Sequence, residues 1–181
     1  MADTTPYSLL ADLEQVRHKG KPPIHLWNPE NVSDIDMTIE ADGSWMYLGT
    51  PVTRQRLSHL FSTVLRREAD GEFYLVTPVE KCRIRVVDAP FVAILLAEAG
   101  TGAAQTLSFT TNMADEVTAD SEHPIRVAHN PDTGEPAPYI MIRDGLEAKI
   151  TRNVYYQLAN LVVEQDDVLG VWSAGTFFPL S

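Results

Sequence analysis

The sequence predicts an α+β fold built on a duplicated core, and three observations carry the prediction. Short apolar–polar alternations of strand period recur along the chain, separated by Gly-containing turns. Two segments carry a helical stripe: Leu57, Leu60, Phe61, Val64 and Leu65, and later Val154, Leu158, Leu161 and Val162. The third observation is a repeated order. Asp42-Gly43, an aromatic strand and Thr53-Arg54 open one helix; Asp144-Gly145, a short strand and Thr151-Arg152 open another. The Thr-Arg pairs stand 98 positions apart and the Asp-Gly pairs 102, so the two hairpin-helix-strand units differ by a short loop. A seam between two such units is where a ligand is expected.

Each element follows from its residues. Ser8 to His18 puts Leu9, Leu10, Leu13 and Val16 on one face, and Lys19-Gly20 with Pro22-Pro23 closes that short helix. Lys21 to Pro29 is an extended linker carrying Ile24, Leu26 and Trp27. Ile35, Met37 and Ile39 alternate as a half-buried strand, Asp42-Gly43 predicts a two-residue hairpin, and Trp45 to Leu48 returns. The first helix runs from Arg54 to Leu65. Asp70-Gly71 turns into strands at Phe73 to Thr77 and Lys81 to Val87.

Phe91 to Glu98 and Thr106 to Asn112 read as strands, and Asn112 to His123 as a long acidic loop. Ile125 to Ala128 and Tyr139 to Arg143 flank a loop rich in Pro and Gly. Leu146 to Ile150 leads into the second helix, Arg152 to Val163, and Val171 to Ser173 with Thr176 to Phe178 close the chain. The domain reading is an N-terminal helix over 1–21, a first α+β repeat over 22–88 and a second over 89–181.

The 181 residues carry a net charge of −11, with 25 Asp and Glu against 14 Lys and Arg. That balance argues against nucleic-acid binding and against an anionic membrane surface, since both need clustered cations. One cysteine, Cys82, allows no intrachain disulfide. Met1 to Pro6 has neither a basic n-region nor an apolar h-region, so the expectation is a cytoplasmic protein.

Arg54 and Arg152 are the most informative polar residues. Thr53 and Thr151 are natural N-caps, which places each Arg at the first helical position. A cation there opposes the helix dipole at a cost of about 0.3–1 kcal/mol unless an anion compensates. The anion is either a carboxylate of the chain or a ligand phosphate or carboxylate. Lys81, Arg83 and Arg85 alternate with Cys82, Ile84 and Val86, giving a strand one cationic face. That face is either plainly solvated or an anion-binding patch, with Arg126 adding charge. Trp45 or Tyr74 would stack on a base, and His123 and Asn112, at strand ends, would add polar contacts.

The five histidines have no metal-ligand spacing, and no dinucleotide or P-loop signature is present, so no metal and no cofactor is expected. Gly170 to Gly175 echoes a nucleophile elbow, but the first Gly is one position too early and the chain ends without the following helix. Asp88-Ala89-Pro90 and Glu122-His123-Pro124 read as strand starts fixed by Pro.

The segments Trp45 to Val52 (WMYLGTPV), Phe73 to Lys81 (FYLVTPVEK), Asp88 to Phe91 (DAPF), Glu122 to Val127 (EHPIRV) and Pro138 to Arg143 (PYIMIR) resemble the bacterial domain-of-unknown-function family 1285 (DUF1285). The resemblance spans Pro23 to Leu180. It implies a duplicated α+β core, a C-terminal half loosely pleckstrin-homology-like, a ligand site between the halves, and a role in signal transduction. It brings no catalytic residues. The functional expectation is a non-enzymatic cytoplasmic module for a small anionic, nucleotide-like ligand. The rivals are a hydrolase or transferase using Glu80, Asp88 and His123 as acid/base groups, and a protein-interaction module using strand edges or the acidic loop at Asp115 to Glu122.

Overall fold

The computed structural model describes residues 9–11, 13 and 20–181. The chain divides into two compact units with the boundary between Val87 and Asp88. Of the helix expected over Ser8 to His18, Leu9, Leu10, Ala11 and Leu13 are helical, with Leu9 and Leu13 buried; the rest of that segment lies outside the described residues.

In the first unit a 3-10 turn, Ile24–Leu26, precedes strand β1 (Asn31–Ile39), β2 (Trp45–Tyr47), β3 (Thr50–Pro51), helix α1 (Gln55–Thr63), β4 (Leu65–Arg67), β5 (Phe73–Val76) and β6 (Glu80–Val86). The sheet order is β3-β2-β1-β6-β5-β4. Every neighbouring pair is antiparallel except β1 and β6 at the centre, which run parallel. The unit is therefore two three-stranded meanders joined along their long strands, with α1 between them in sequence. Met37, Ile39, Trp45, Phe61, Leu65, Leu75 and Cys82 form its buried core.

The second unit uses the same plan. Strands β7 (Phe91–Ala99), β8 (Thr106–Thr111) and β9 (Glu116–Thr118) form one meander; β10 (Ile125–His129), β11 (Pro136–Arg143) and β12 (Leu146–Ile150) form the other. The order is β10-β11-β12-β7-β8-β9, again with a central parallel pair, β7 and β12. Helix α2 (Arg152–Ala159) follows, then a three-stranded sheet of β13 (Val163–Gln165), β14 (Val168–Ser173) and β15 (Thr176–Pro179). Phe91, Leu107, Phe109, Ile140, Leu146, Val154 and Leu158 are among its fully or almost fully buried side chains.

The core is duplicated, but not in the register that the Asp-Gly and Thr-Arg echoes suggested. Matching strands by place in the sheet pairs β1 with β7 and β4 with β10. Their first residues, Asn31 with Phe91 and Leu65 with Ile125, stand 60 positions apart. On that match the Asp42-Gly43 hairpin joins β1 to β2, whereas Asp144-Gly145 joins β11 to β12. Helix α1 lies between the meanders and α2 after the second one. The echo misled because turns and helix starts draw on the same few residue types wherever they occur.

Turn geometry confirms the difference. Arg143 pairs with Leu146 across Asp144 (φ 44) and Gly145 (φ 78), a two-residue turn with both residues left-handed. At Asp42-Gly43 the pairing of Glu40 with Ser44 instead leaves a three-residue loop, Ala41 to Gly43, with Gly43 at φ 86. Ala69-Asp70-Gly71 repeats it between Glu68 and Glu72. In both loops the Asp Oδ1 accepts the backbone N–H two residues on at 2.9 Å. The repeated Glu-Ala-Asp-Gly sequence is thus the signature of one loop used twice.

Other boundaries moved by a few residues. Strands β4, β9 and β13 are three residues each, too short for period-two alternation to register, and β9 lies inside the expected acidic loop. The second helix ends at Ala159 rather than Val163, so Leu161 and Val162 are half-buried in the connection to β13. Among the described residues no helix is long and apolar enough to cross a membrane.

Candidate functional site

Strand β1 follows β6 in register from Asn31 opposite Glu80 to Asp34 opposite Arg83, then resumes at Thr38 opposite Arg85. Four steps along β1 therefore match two along β6, and β1 bulges over Ile35 to Met37. Beside this bulge lies a shallow groove of about 440 Å³, bordered by Asp34, Ile35, Glu72, Phe73, Arg83 and Arg85. The volume falls within the range of small-molecule sites. Ile84 and Val86 also border it, but Ile84 is almost fully buried on the opposite, core face of the strand, so the arginines line one side.

The charges there are unequally engaged. Arg83 donates from Nε to Asp34 Oδ1 at 2.7 Å, and that hydrogen bond holds its guanidinium pKa above the usual value. Both partners are largely exposed, at 48% and 72%, so water screens the pair and an incoming anion can displace it. The Arg85 side chain is exposed and has no hydrogen bond or ion pair among the described residues. At the far side the guanidinium of Arg67 lies 5.5 Å from the centre of the Phe73 ring.

The other cations singled out in the sequence stand elsewhere. Arg54 is the exposed N-cap of α1 itself, in extended conformation, rather than its first helical residue. Thr53 therefore does not cap the helix. Arg152 is the first residue of α2, as its spacing predicted, and Thr151 precedes it without a side-chain capping bond. Neither arginine meets a carboxylate among the described residues. Lys81 is engaged: its Nζ lies 3.3 Å from Glu68 Oε1 and 4.9 Å from the centre of the Tyr74 ring. Burial alone would raise the Glu68 carboxyl, but Arg66 and Lys81 outweigh it and hold it low. Arg66 also donates to the Ile24 and Trp27 carbonyls at 2.7 Å, pinning the linker to β4.

The two aromatic residues expected to stack on a base are core residues. Trp45 is 2% exposed and stacked on Phe61 with ring centres 5.9 Å apart. Its indole N–H is buried and has no hydrogen-bond partner among the described residues. Tyr74 is 7% exposed, covered by Lys81, and donates its hydroxyl to Asp70 at 2.8 Å, a bond that raises its pKa. Both lie too deep to offer a ring face to a ligand.

In the second unit Arg126, Tyr139 and Lys149 stand in one row across β10, β11 and β12. Arg126 makes two 2.7 Å bonds to Glu147 and lies 4.3 Å from the Tyr139 ring centre. The Glu147 hydrogen bond raises its pKa. Asp88 accepts from the Tyr139 hydroxyl and from Lys149 Nζ, each at 2.7 Å. Burial would raise the Asp88 carboxyl, yet these two donors hold it below the usual range. Burial, then the Asp88 bond, push Tyr139 up to about 12. His123 Nδ1 sits 3.0 Å from Asp120 Oδ1, and Asn112 Oδ1 accepts the Val92 N–H at 3.1 Å.

The row is a satisfied electrostatic anchor for the start of the second unit. Nothing in the spacing of Arg126, Tyr139, Glu147 and Lys149 marks them as neighbours, because cross-strand register brings them together. Of the acid/base candidates, Glu80 is buried in the first unit, while Asp88 and His123 belong to the second. A carboxyl held low is the opposite of what a general acid needs at neutral pH. Gly170 to Gly175 is no elbow either: Ser173 is fully buried and bonded to Leu107 N–H and the Ala119 carbonyl. The structure adds Arg85 to the site residues, and the same alternation that marks Lys81 and Arg83 contains it.

Family models for the N-terminal and C-terminal domains of DUF1285, a family of unknown function, match residues 22–89 and 90–180. The crystal structure of a DUF1285 family protein from Silicibacter pomeroyi DSS-3 is 52% identical, with a TM-score of 0.89, over 95% of this chain and 93% of that one. A second, from Shewanella baltica OS155, is 30% identical with a TM-score of 0.54, over 68% of this chain and 90% of that one. No curated protein matches the chain.

Proposed function

We propose that this chain, which belongs to the DUF1285 family, is a non-enzymatic module that binds a small anionic, nucleotide-like ligand in the groove beside the β1 bulge. The carrying observation is the state of Arg83 and Arg85. In a chain of net charge −11, among the described residues one guanidinium is unpaired and the next is held only by an exposed carboxylate, both bordering a 440 Å³ groove. A phosphate bridging them would displace Asp34 and gain charge-assisted hydrogen bonds. Ile35, Phe73 and Val86, all half-buried at its border, supply an apolar surface for the rest of the ligand. Arg54 and Arg152 do not border this groove and have no part in the site. Cytoplasmic residence and a part in signal transduction complete the proposal, since a module that binds without turnover acts by reporting ligand level.

A thermal-shift screen of nucleotides and simple phosphates tests it. Ligand at 100 times Kd adds about 2.7 kcal/mol of stability. The shift is expected to fall in Arg83→Ala and Arg85→Ala but not in Arg54→Ala. No shift with any anion, or shifts indifferent to both groove arginines, would overturn the proposal.

A further inference from the structure

The two sheets differ at one strand. In the first unit β6 accompanies β1 from Asn31 to Ile39. In the second, β12 pairs with β7 only from Phe91 to Ala93, and after Ile150 the chain leaves the ladder for α2, which packs against β7. Residues 94–99 of β7 continue with β8 on one side and, among the described residues, no strand on the other. Ile94 and Leu95 are 45% and 59% exposed, and Ala97, Glu98 and Ala99 are exposed with them. The strand carries a single charge, Glu98, and none of the Pro, Lys or inward charges that normally protect an edge.

We propose that this edge pairs antiparallel with the same edge of a second copy of the chain, giving a two-fold dimer. Charge placement favours a second copy over a foreign segment. Pairing centred on Leu96 sets Ile94 of each chain opposite Glu98 of the other. The Thr151 N–H donates to the Ala93 carbonyl at 3.2 Å, so Arg152, the next residue, sits at the end of the edge where the other copy's Glu98 arrives. Glu98 and Arg152 are both exposed and have no ion pair within the chain among the described residues. In the dimer they become reciprocal partners, twice by symmetry. The carboxylate also offsets an arginine at the positive end of α2. This inference concerns the second unit and does not depend on the groove of the first.

Sedimentation velocity of the full chain over the micromolar to millimolar range is the test, with circular dichroism to confirm folding of each variant. The wild type is expected to dimerise reversibly, and Leu95→Lys to be monomeric throughout. Glu98→Arg is expected to weaken the dimer about tenfold; Glu98→Arg with Arg152→Glu restores it. A wild type that stays monomeric at every concentration overturns the proposal. So does a dimer indifferent to Leu95→Lys and Glu98→Arg, or a loss in Glu98→Arg that the charge-swapped pair does not recover.

Discussion

Replacing Gly170 with Ala is expected to be among the costliest single-methyl changes in the protein. Gly170 is buried in β14 opposite Pro179 of β15. A Cβ there would lie inside van der Waals contact of the Phe178 carbonyl oxygen, and 2.6 and 2.9 Å from two ring carbons of Phe177. The ring can swing, but it then leaves Trp172, whose ring it meets edge-on at 5.4 Å. The carbonyl belongs to the β14–β15 ladder and moves only if that pairing opens. Overpacking costs about 1–3 kcal/mol, and a backbone clash belongs at the upper end. Losing the aromatic contact adds about 0.5–1.5 kcal/mol. The sum, roughly 3–4 kcal/mol, lowers the Tm of a chain this size by about 6–16 °C. Urea unfolding followed by tryptophan fluorescence, with calorimetry, measures both. A Gly170→Ala protein within about 0.5 kcal/mol of wild type would refute the packing argument, since that is the scatter of ordinary surface changes.

Asp88→Asn removes the negative charge and replaces one of the two oxygens that accept from Tyr139 and Lys149 with an NH2 donor, and is expected to cost about 1.5–3 kcal/mol at pH 7, the range for hydrogen bonds to charged groups. Because the folded carboxyl titrates below its unfolded value, the wild-type advantage is present above about pH 4 and fades as pH falls further; an advantage unchanged at pH 2 would refute the assignment. Tyr139 ionises higher folded than unfolded, so its contribution is complete below about pH 10 and disappears as pH rises toward about 12. Absorbance titration at high pH should show a tyrosine ionising at about 12 that is absent in Tyr139→Phe. Leu48 is 62% exposed and held at φ 50 in the turn between β2 and β3. Leu48→Asn is expected to stabilise by about 0.5–1 kcal/mol, because Asn tolerates the left-handed region with less strain; a denaturation midpoint lower than wild type would count against it.

Local information accounts for much of what the chain reveals in one dimension. Asp144-Gly145 dictates its own turn, because few residues accept two successive positive φ values. The stripe of Leu57, Phe61 and Val64 forms α1 because one face must be apolar to bury. The alternation of Lys81, Arg83 and Arg85 with Cys82, Ile84 and Val86 fixed which side chains face water, since the strand period is two. Period and turn chemistry need only near neighbours.

The tertiary structure decided what local signals cannot carry. It paired β1 with β7 across the duplication, where the Asp-Gly echo had pointed to a different match. It buried Trp45 and Tyr74, aromatic residues equally suited to a core or a ligand. It gathered Asp88, Arg126, Tyr139, Glu147 and Lys149, far apart in the chain, into one charge row. Among the described residues it left Arg54, Arg85 and Arg152 without carboxylates while giving Arg83 and Lys81 theirs. Composition, motif and spacing determined the class of fold and the list of candidate charges. Register between strands distant in sequence determined which charges are spoken for, because an ion pair depends on a few ångströms of separation that no sequence interval encodes.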